Sequence, residues 1–251
     1  VIVFKGGKSQ QGSRAAQSHT GVMAGNDAVF DAACKQAGLP RVDTVQEAVC
    51  FSAGFVATPL PKGKRLGIVT TGGGLGVLAA DMCAQYGIEL PEFSPRTTQK
   101  LVDVMPPWWA PGNPVDMAAG VRYASSSQVI ELLIESGEVD GILFLGLGIM
   151  HRWADFRKLS PISSLIDIDK LVGSMKEWDA RSCRHLRKIV SGASCPVLIN
   201  SNMAPYAMVN HYQTIVDMLH EGIMVYPSIE LSVKAFSALA FYGKTRASSA
   251  V

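Results

Sequence analysis

The sequence predicts an α/β protein whose larger part is a flavodoxin-like, doubly wound parallel sheet, preceded by a smaller α/β piece. Short, fully apolar runs such as "LGIVT" (66–70), "GILFLG" (141–146) and "CPVLIN" (195–200) alternate with segments of helical periodicity. Strands apolar on every side belong to parallel sheets covered on both faces, and their alternation with helices gives βαβ crossovers. Between the two parts, "TPLPKGK" (58–64) concentrates Pro, Gly and Lys, the composition of a connection. A boundary there divides the chain into residues 1–58, a linker at 59–64 and a domain over 65–251.

The elements follow in order. "VIVFKGG" is a β-branched strand running into glycine. The small, polar, Gly-rich stretch from Gln11 to Gly25 reads as a loop, with His19 at its centre. Asn26 or Asp27 can cap a helix whose stripe is Val29, Phe30, Ala33, Cys34 and Ala37, closed by Gly38. Thr44 with Glu47 forms a capping box for a second helix reaching about Val56. In the larger domain, strands are expected at 66–70, 87–93, 141–146, 195–200 and "IMVYP" (223–227). Helices are expected at Leu75–Tyr86, "RTTQKLVDVM", "SSQVIELLIESG", about 163–191, "PYAMVNHYQTIVDMLHEG" and "IELSVKAFSALAFYG", with a frayed "ASSAV" at the end. "PPWWAPGNPVDM" is too rich in proline to be helical throughout.

Composition narrows the function classes. Of 251 residues, 48% are apolar and 18% charged, enough to bury a substantial core. No uninterrupted apolar run approaches the roughly 20 residues that span a bilayer, and no basic-then-apolar leader is present. The net charge of +2 comes without a Lys/Arg cluster beyond "RSCRHLRK", whose spacing suits a solvated helix face. Neither a nucleic-acid nor a membrane partner is therefore expected. Five scattered cysteines, odd in number and never in C-x-x-C spacing, argue against a disulfide framework or a metal site and for a reducing cytoplasm. The chain opens directly on a strand with Val1, which reads as a fragment of a longer protein.

In a doubly wound sheet, ligands bind beyond the carboxyl ends of the strands at the switch point. Two glycine loops fall there: "TTGGGLG" (70–76) and "GLGIMHR" (146–152). In the first, Gly72, Gly73, Gly74, Leu75 and Gly76 lead into a helix. Their backbone N–H groups can converge on a phosphate without side chains intervening. A tight strand-to-helix turn needing glycine only for its backbone angles is the competing reading. A dinucleotide fingerprint through Gly74, Gly76, Ala79 and Glu89 is a short, weak match. Gly148 and His151 belong to the second loop and are possible site neighbours. His19 is either a merely exposed loop histidine or a nucleophile, since neutral imidazole attacks near neutral pH. His185, His211 and His220 read as surface positions on helices. In "GNPVD", Asn113 is held extended by Pro114 and Asp116 can cap or bind, against a purely structural turn. Trp108 and Trp109 read as packing at the domain edge.

Taken together, "KGGKSQQGSRAAQSHTGVMAG" and "AVFDAACKQAGLPRV" resemble the phosphohistidine segment of the NDP-forming acyl-CoA synthetases, relatives of succinyl-CoA synthetase. "LGIVTTGGGLGVLAAD", "LPEFSPRTTQKLVDVMPPWWAPGNPVDM" and "VDGILFLGLGI" are similar to that family's next flavodoxin-like domain, so the resemblance spans nearly the whole chain. The resemblance makes residues 1–58 the C-terminal part of the phosphohistidine-bearing ligase-CoA domain and 65–251 the succinyl-CoA-synthetase-type domain. It implies an acid–CoA ligase in which an acyl phosphate forms and His19, flanked by Ser18 and Thr20, carries the phosphoryl group to a nucleotide site. CoA and ADP or ATP with Mg are then substrates, bound mainly outside this chain, with no prosthetic group. A small carboxylic acid is the remaining substrate. CoA-binding and ATP-grasp domains or subunits are the implied partners, in an oligomer. The histidine's glutamate partner would lie upstream of Val1, so the isolated chain is expected to be inactive. The alternative is a non-catalytic sensor or binding module that keeps the fold and the phosphate loop. A flavin or nicotinamide protein would leave His19 unexplained.

Overall fold

The computed structural model describes residues 1–20, 25–117, 125–159, 161 and 167–249. Strand β1 (Val3–Phe4) pairs in parallel with β2 (Arg41–Val42), and helices α1 (Gln10–Thr20) and α2 (Asp27–Gln36) lie between them in the chain. Helix α3 (Val45–Ala57) follows. The stretch read as a loop is therefore helical up to Thr20. Ser9 starts α1, its Oγ accepting the Gly12 N–H at 3.0 Å and its carbonyl the Ser13 N–H. The Gln, Arg and Ala residues that follow are good helix formers, and one glycine does not outweigh them. Asn26 caps α2, accepting from Ala28 and Val29, but only Cys34 of the expected stripe is buried. Thr44 Oγ1 accepts the Glu47 N–H, whereas the Glu47 carboxylate reaches past Thr44 to the Asp43 N–H at 2.6 Å.

The larger unit contains β3 (Leu66–Thr70), α4 (Gly73–Gln85), α5 (Pro95–Val104), β4 (Val115–Asp116), α6 (Ser126–Ser136), β5 (Gly141–Leu145) and α7 (Ile149–Leu159). It continues with α8 (Ile168–Gly192), β6 (Val197–Asn200), α9 (Gln213–His220), β7 (Val225–Tyr226) and α10 (Ile229–Ser249). The five strands are parallel in the order β4-β3-β5-β6-β7, which is the flavodoxin-like 2-1-3-4-5 order. Strands β3, β5 and β6 are buried along their whole length, as their unbroken apolar sequence requires. Residues on the two faces divide into two cores, one around Val69, Ile142 and Ile199 and the other around Ile68, Leu143 and Leu198.

Several elements differ from expectation. The strand expected at 87–93 reduces to a single bridge between Arg65 and Glu89, and 115–116 takes its place in the sheet. Pro91 supplies no N–H to extend that bridge. The Asn113 side chain fills part of the ladder instead, Oδ1 accepting Ile68 N–H while Nδ2 donates to the carbonyls of Leu66 and Pro91. Helix α7 was not foreseen, and the long helix begins at Ile168, with 162–166 outside the described residues. The helix expected from Pro205 is limited to a 3-10 turn, Ala204–Tyr206, and α9; His211, with φ of 53°, lies in the turn between them. Helix α10 runs through Ser249, so most of "ASSAV" continues it, while residues 250–251 lie outside the described ones.

The 59–64 connection is pinned rather than slack. The Pro61 carbonyl lies 2.7 Å from where a Cβ on Gly243 of α10 would sit, and Gly63 abuts Asp140. Asp140 accepts from Arg65 N, Nε and Nη2 at 2.9, 3.0 and 2.9 Å, tying the starts of β3 and β5 together. Lys234 of α10 bonds the buried Glu47 of α3 at 2.8 Å, joining the two units by charge. Among the described residues, no helix is long and apolar enough to cross a membrane.

Candidate functional site

Because β3 and β5 are neighbours, their two glycine loops meet at the carboxyl end of the sheet. Thr71 Oγ1 lies 3.4 Å from the Gly146 carbonyl and donates to the Leu145 carbonyl at 3.3 Å. Gly146 has φ of 93°, and a Cβ there would strike the Thr71 hydroxyl, so the loops approach as closely as glycine permits. In the first loop, Thr70 Oγ1 accepts the Gly72 N–H at 3.1 Å and donates to the Gly72 carbonyl at 2.8 Å. Gly72 is extended and caps α4 without a side chain. Gly74 is exposed with open space where a Cβ would stand. The N-terminus of α4 therefore presents bare backbone to solvent, with the positive end of the helix dipole behind it.

The 112–116 segment braces this loop. A Cβ on Gly73 would lie 2.6 Å from Asp116 Oδ2, and one on Gly76 would lie 3.2 Å from Pro114 Cβ. The Asp116 carboxylate thus stands against the first turn of α4. Both ends of the Asn113 amide bond to β3 and Pro91.

The second loop is equally braced. The buried carboxylate of Asp179 on α8 accepts the His151 N–H at 2.7 Å, holding the first turn of α7. The His151 ring packs edge-on against Tyr212, centroids 4.6 Å apart. Burial, helped by Lys176 and opposed by Asp155, holds the His151 pKa below its ordinary value. Met203 closes over Gly148, its Cε 2.9 Å from where a Cβ would be. Asp179 and Tyr212 were missed from the sequence. An aspartate inside the charged α8 pattern carries no signal that it points inward.

His19 is exposed in the last turn of α1. Ser18 donates back to the Arg14 carbonyl at 3.1 Å, as a helical serine does. Thr20 ends the helix, its side chain outside what the structure describes, as are residues 21–24. Among the described residues, no hydrogen bond or ion pair joins His19 to either glycine loop. His185, His211 and His220 are exposed. Trp108 is 63% exposed, whereas Trp109 packs against the core.

A cavity of about 830 Å³ lies elsewhere, between α2, α3 and α10. Of the cations that line it, Lys35, Arg41 and Lys234 are paired with aspartate or glutamate. Among the described residues, no three His, Cys, Asp or Glu side chains gather as a metal site.

Comparison with known proteins bears on this arrangement. Residues 1–54 match the family described as a succinyl-CoA ligase like flavodoxin domain, and residues 66–155 match the ligase-CoA domain. These descriptions fall in the opposite order to the one the resemblance implied, while the strand order assigns the flavodoxin-like topology to the second unit. The chain is 31% identical over 250 residues to subunit alpha of acetate–CoA ligase [ADP-forming] I from Pyrococcus furiosus, covering 98% of this chain and 47% of that protein. It is 41% identical over 140 residues to subunit alpha of the same organism's acetate–CoA ligase [ADP-forming] II, covering 56% of this chain and 30% of that one. Among solved structures, the dinucleotide-forming acetyl-coenzyme A synthetase 1 of Ca. Korarchaeum cryptofilum, in complex with phosphate and ADP, has the same fold. Its TM-score is 0.69 at 24% identity, over 98% of this chain and 47% of that one. The chain thus spans at most about half the length of these relatives. Its homologues are subunits of ADP-forming acetate–CoA ligases, which it resembles along nearly its whole length.

Proposed function

We propose that this chain supplies the phosphohistidine and one phosphate cradle of an NDP-forming acyl-CoA synthetase, with residues 1–58 bearing the histidine and 65–251 the cradle. The observation that carries this reading is the bare N-terminus of α4 meeting the second glycine loop at the switch point, in a chain that also bears an exposed histidine. Phosphate first displaces CoA from an acyl-CoA, giving acyl phosphate. A neutral nitrogen of His19 then attacks phosphorus, the acyl P–O bond breaks, and the free acid departs with that electron pair. The nucleoside diphosphate finally takes the phosphoryl group, returning imidazole and forming the triphosphate. Backbone N–H groups at Gly73 and Gly74 would hold the anionic phosphoryl group without a proton having to move. CoA, ADP and Mg would be held mainly by the domains or subunits that complete the assembly.

The test is phosphorylation of the complete assembly with nucleoside triphosphate and magnesium. His19 is expected to gain an acid-labile, base-stable phosphoryl group, and His19→Ala to lose it together with acyl-CoA formation. An acid-stable label on Ser18 or Thr20, or full activity in His19→Ala, would refute the assignment. The isolated chain should show little labelling.

A further inference from the structure

The cavity of about 830 Å³ between α2, α3 and α10 opens at the amino end of the sheet, opposite the glycine loops. Lys64, which lines it, precedes β3. Tyr86, also in its wall, sits at the carboxyl end of α4, 13 residues or about 20 Å from the loop that opens that helix. The cavity is a junction of the two units: α2 and α3 form one side, α10 and the 59–64 connection the other. One turn along α3 from Phe51, the units meet with no room to spare. A Cβ on Gly54 there would lie 2.7 Å from the buried Tyr226 Oη of β7. An opening of this size beside so close a contact has the volume and the place, between two units, of a small-molecule site.

The charges in the wall say what kind of molecule fits. Five lysine and arginine side chains line the cavity together with three carboxylates. Each carboxylate is matched: Glu47 by Lys234, Asp31 by Lys35 and Arg41, and Asp43 by Lys8. The Arg41 fork is itself occupied, Nη2 donating to both Asp27 oxygens at 2.7 and 2.9 Å. Lys64 makes no ion pair among the described residues, and its Nζ leans over the end of α4, 3.9 Å from where a Cβ on Gly87 would stand. The lining thus carries two more positive than negative charges. The carboxyl ends of α2 and α4, at about half a negative charge each, do not cancel them. With the arginine fork taken, the surplus belongs to lysine, a point charge that holds phosphate without needing a planar partner. A phosphate monoester carries about 1.5–2 negative charges at pH 7 and matches that surplus, where a carboxylate carries one. Leu39, Phe51 and Phe241 supply an apolar wall beside the charges.

We propose that this cavity is a second ligand site, separate from the phosphotransfer machinery, that takes a phosphate monoester carried on an apolar or aromatic body. The Lys64 ammonium takes the phosphate, and Leu39, Phe51 and Phe241 take the body. Because the ligand touches α2 and α3 on one side and α10 on the other, its binding adds to the cohesion of the two units. The site lies at the far end of the sheet from the glycine loops, so it stands or falls independently of the acid–CoA ligase reading.

The experiment titrates the 251-residue chain with naphthyl phosphate, naphthol, naphthoate and inorganic phosphate, following ring resonances of Phe51 and Phe241 by NMR. Naphthyl phosphate is expected to bind at least tenfold more tightly than each of the other three. Lys64 is exposed, so Lys64→Gln does not threaten folding. It should weaken naphthyl phosphate at least threefold and leave naphthol unaltered. Gly74→Val should leave naphthyl phosphate unaltered, because the α4 N-terminus takes no part. Equal binding of the four compounds, unaltered affinity in Lys64→Gln, or shifts confined to residues 70–76 overturns the proposal. In the complete assembly, naphthyl phosphate should slow acetylation of Lys64 by acetic anhydride at least threefold, read by mass spectrometry. A Lys64 already unreactive without ligand would mean that another part of the assembly fills the cavity, which also overturns it. Normal labelling of His19 alongside no saturable binding here would reject this site and leave the phosphotransfer reading standing. Binding here without His19 labelling would do the reverse.

Discussion

Gly74→Val separates the anion site from the fold around it. An ideal Cβ at this position meets nothing within 4 Å, so the substitution introduces no clash. Glycine and valine differ in helix propensity by less than about 0.5 kcal/mol, so stability should change by no more than that. The two methyl groups would stand over the exposed turn through which an anion must approach. Losing one charge-assisted hydrogen bond costs about 1.5–3 kcal/mol, roughly a 10- to 100-fold loss of phosphate affinity. Gly73→Ala is the contrasting variant. Its Cβ would lie 2.6 Å from Asp116 Oδ2, so it should displace that carboxylate, at a cost that alanine's helix preference of about 1 kcal/mol offsets. Urea melts and phosphate titration of backbone amides measure both quantities. A Gly74→Val protein as stable as the parent that still binds phosphate within twofold would show that the α4 N-terminus is not the cradle.

Asp116→Asn should tighten phosphate binding in the same titration, because it removes a like charge beside Gly73; weaker binding would mean that the carboxylate instead positions the loop. Asp140→Ala should cost about 1–3 kcal/mol in urea, since it removes charge-assisted hydrogen bonds to Arg65, whose 42% exposure lets water compensate in part; a loss under about 0.5 kcal/mol would contradict this. Burial raises the Asp140 pKa but the Arg65 hydrogen bonds outweigh it, so the folded value lies below 3.8. Its contribution is therefore present above that pH and fades as acid carries the carboxylate through its folded pKa. His151, held below 6.5 by burial, should favour folding above that pH and oppose it progressively as pH falls toward its folded value. An NMR titration placing it at or above 6.5 would refute the burial argument. Tyr226→Phe should be neutral or stabilising by up to about 1 kcal/mol, because the buried hydroxyl has no hydrogen-bond partner among the described residues.

The parts of this fold that the sequence revealed are those where burial dictates residue type. Strands β3, β5 and β6 are apolar on both sides because helices cover both sheet faces, and that leaves an unambiguous run. Strand β4 was hidden because only two residues pair, one of them the polar Asp116. The 87–93 segment misled because it is extended and apolar, yet Asn113 and Pro91 take up the positions that a strand ladder would need. Helix α1 was mistaken for a loop because glycine and serine were weighed above the intervening Gln, Arg and Ala. The glycine loops were legible as loops, and β-sheet neighbourhood brings them together. Asp179 was not legible as the brace of the second glycine loop, since a charge on a helix gives no sign of which way it faces until the helices are packed.

That His19 closes a helix has a consequence for its chemistry. The carboxyl end of a helix carries partial negative charge, which favours an imidazolium and disfavours an anion by about 0.3–1 kcal/mol. If His19 carries the phosphoryl group, loading it places an anion against the last turn of α1. The partially negative helix end would loosen under a dianionic ring. The histidine would thus leave its own helix most readily when it has cargo to deliver, and the α4 N-terminus pulls in the opposite sense. Amide exchange across residues 15–20, slow before phosphorylation and faster after it, would record that asymmetry.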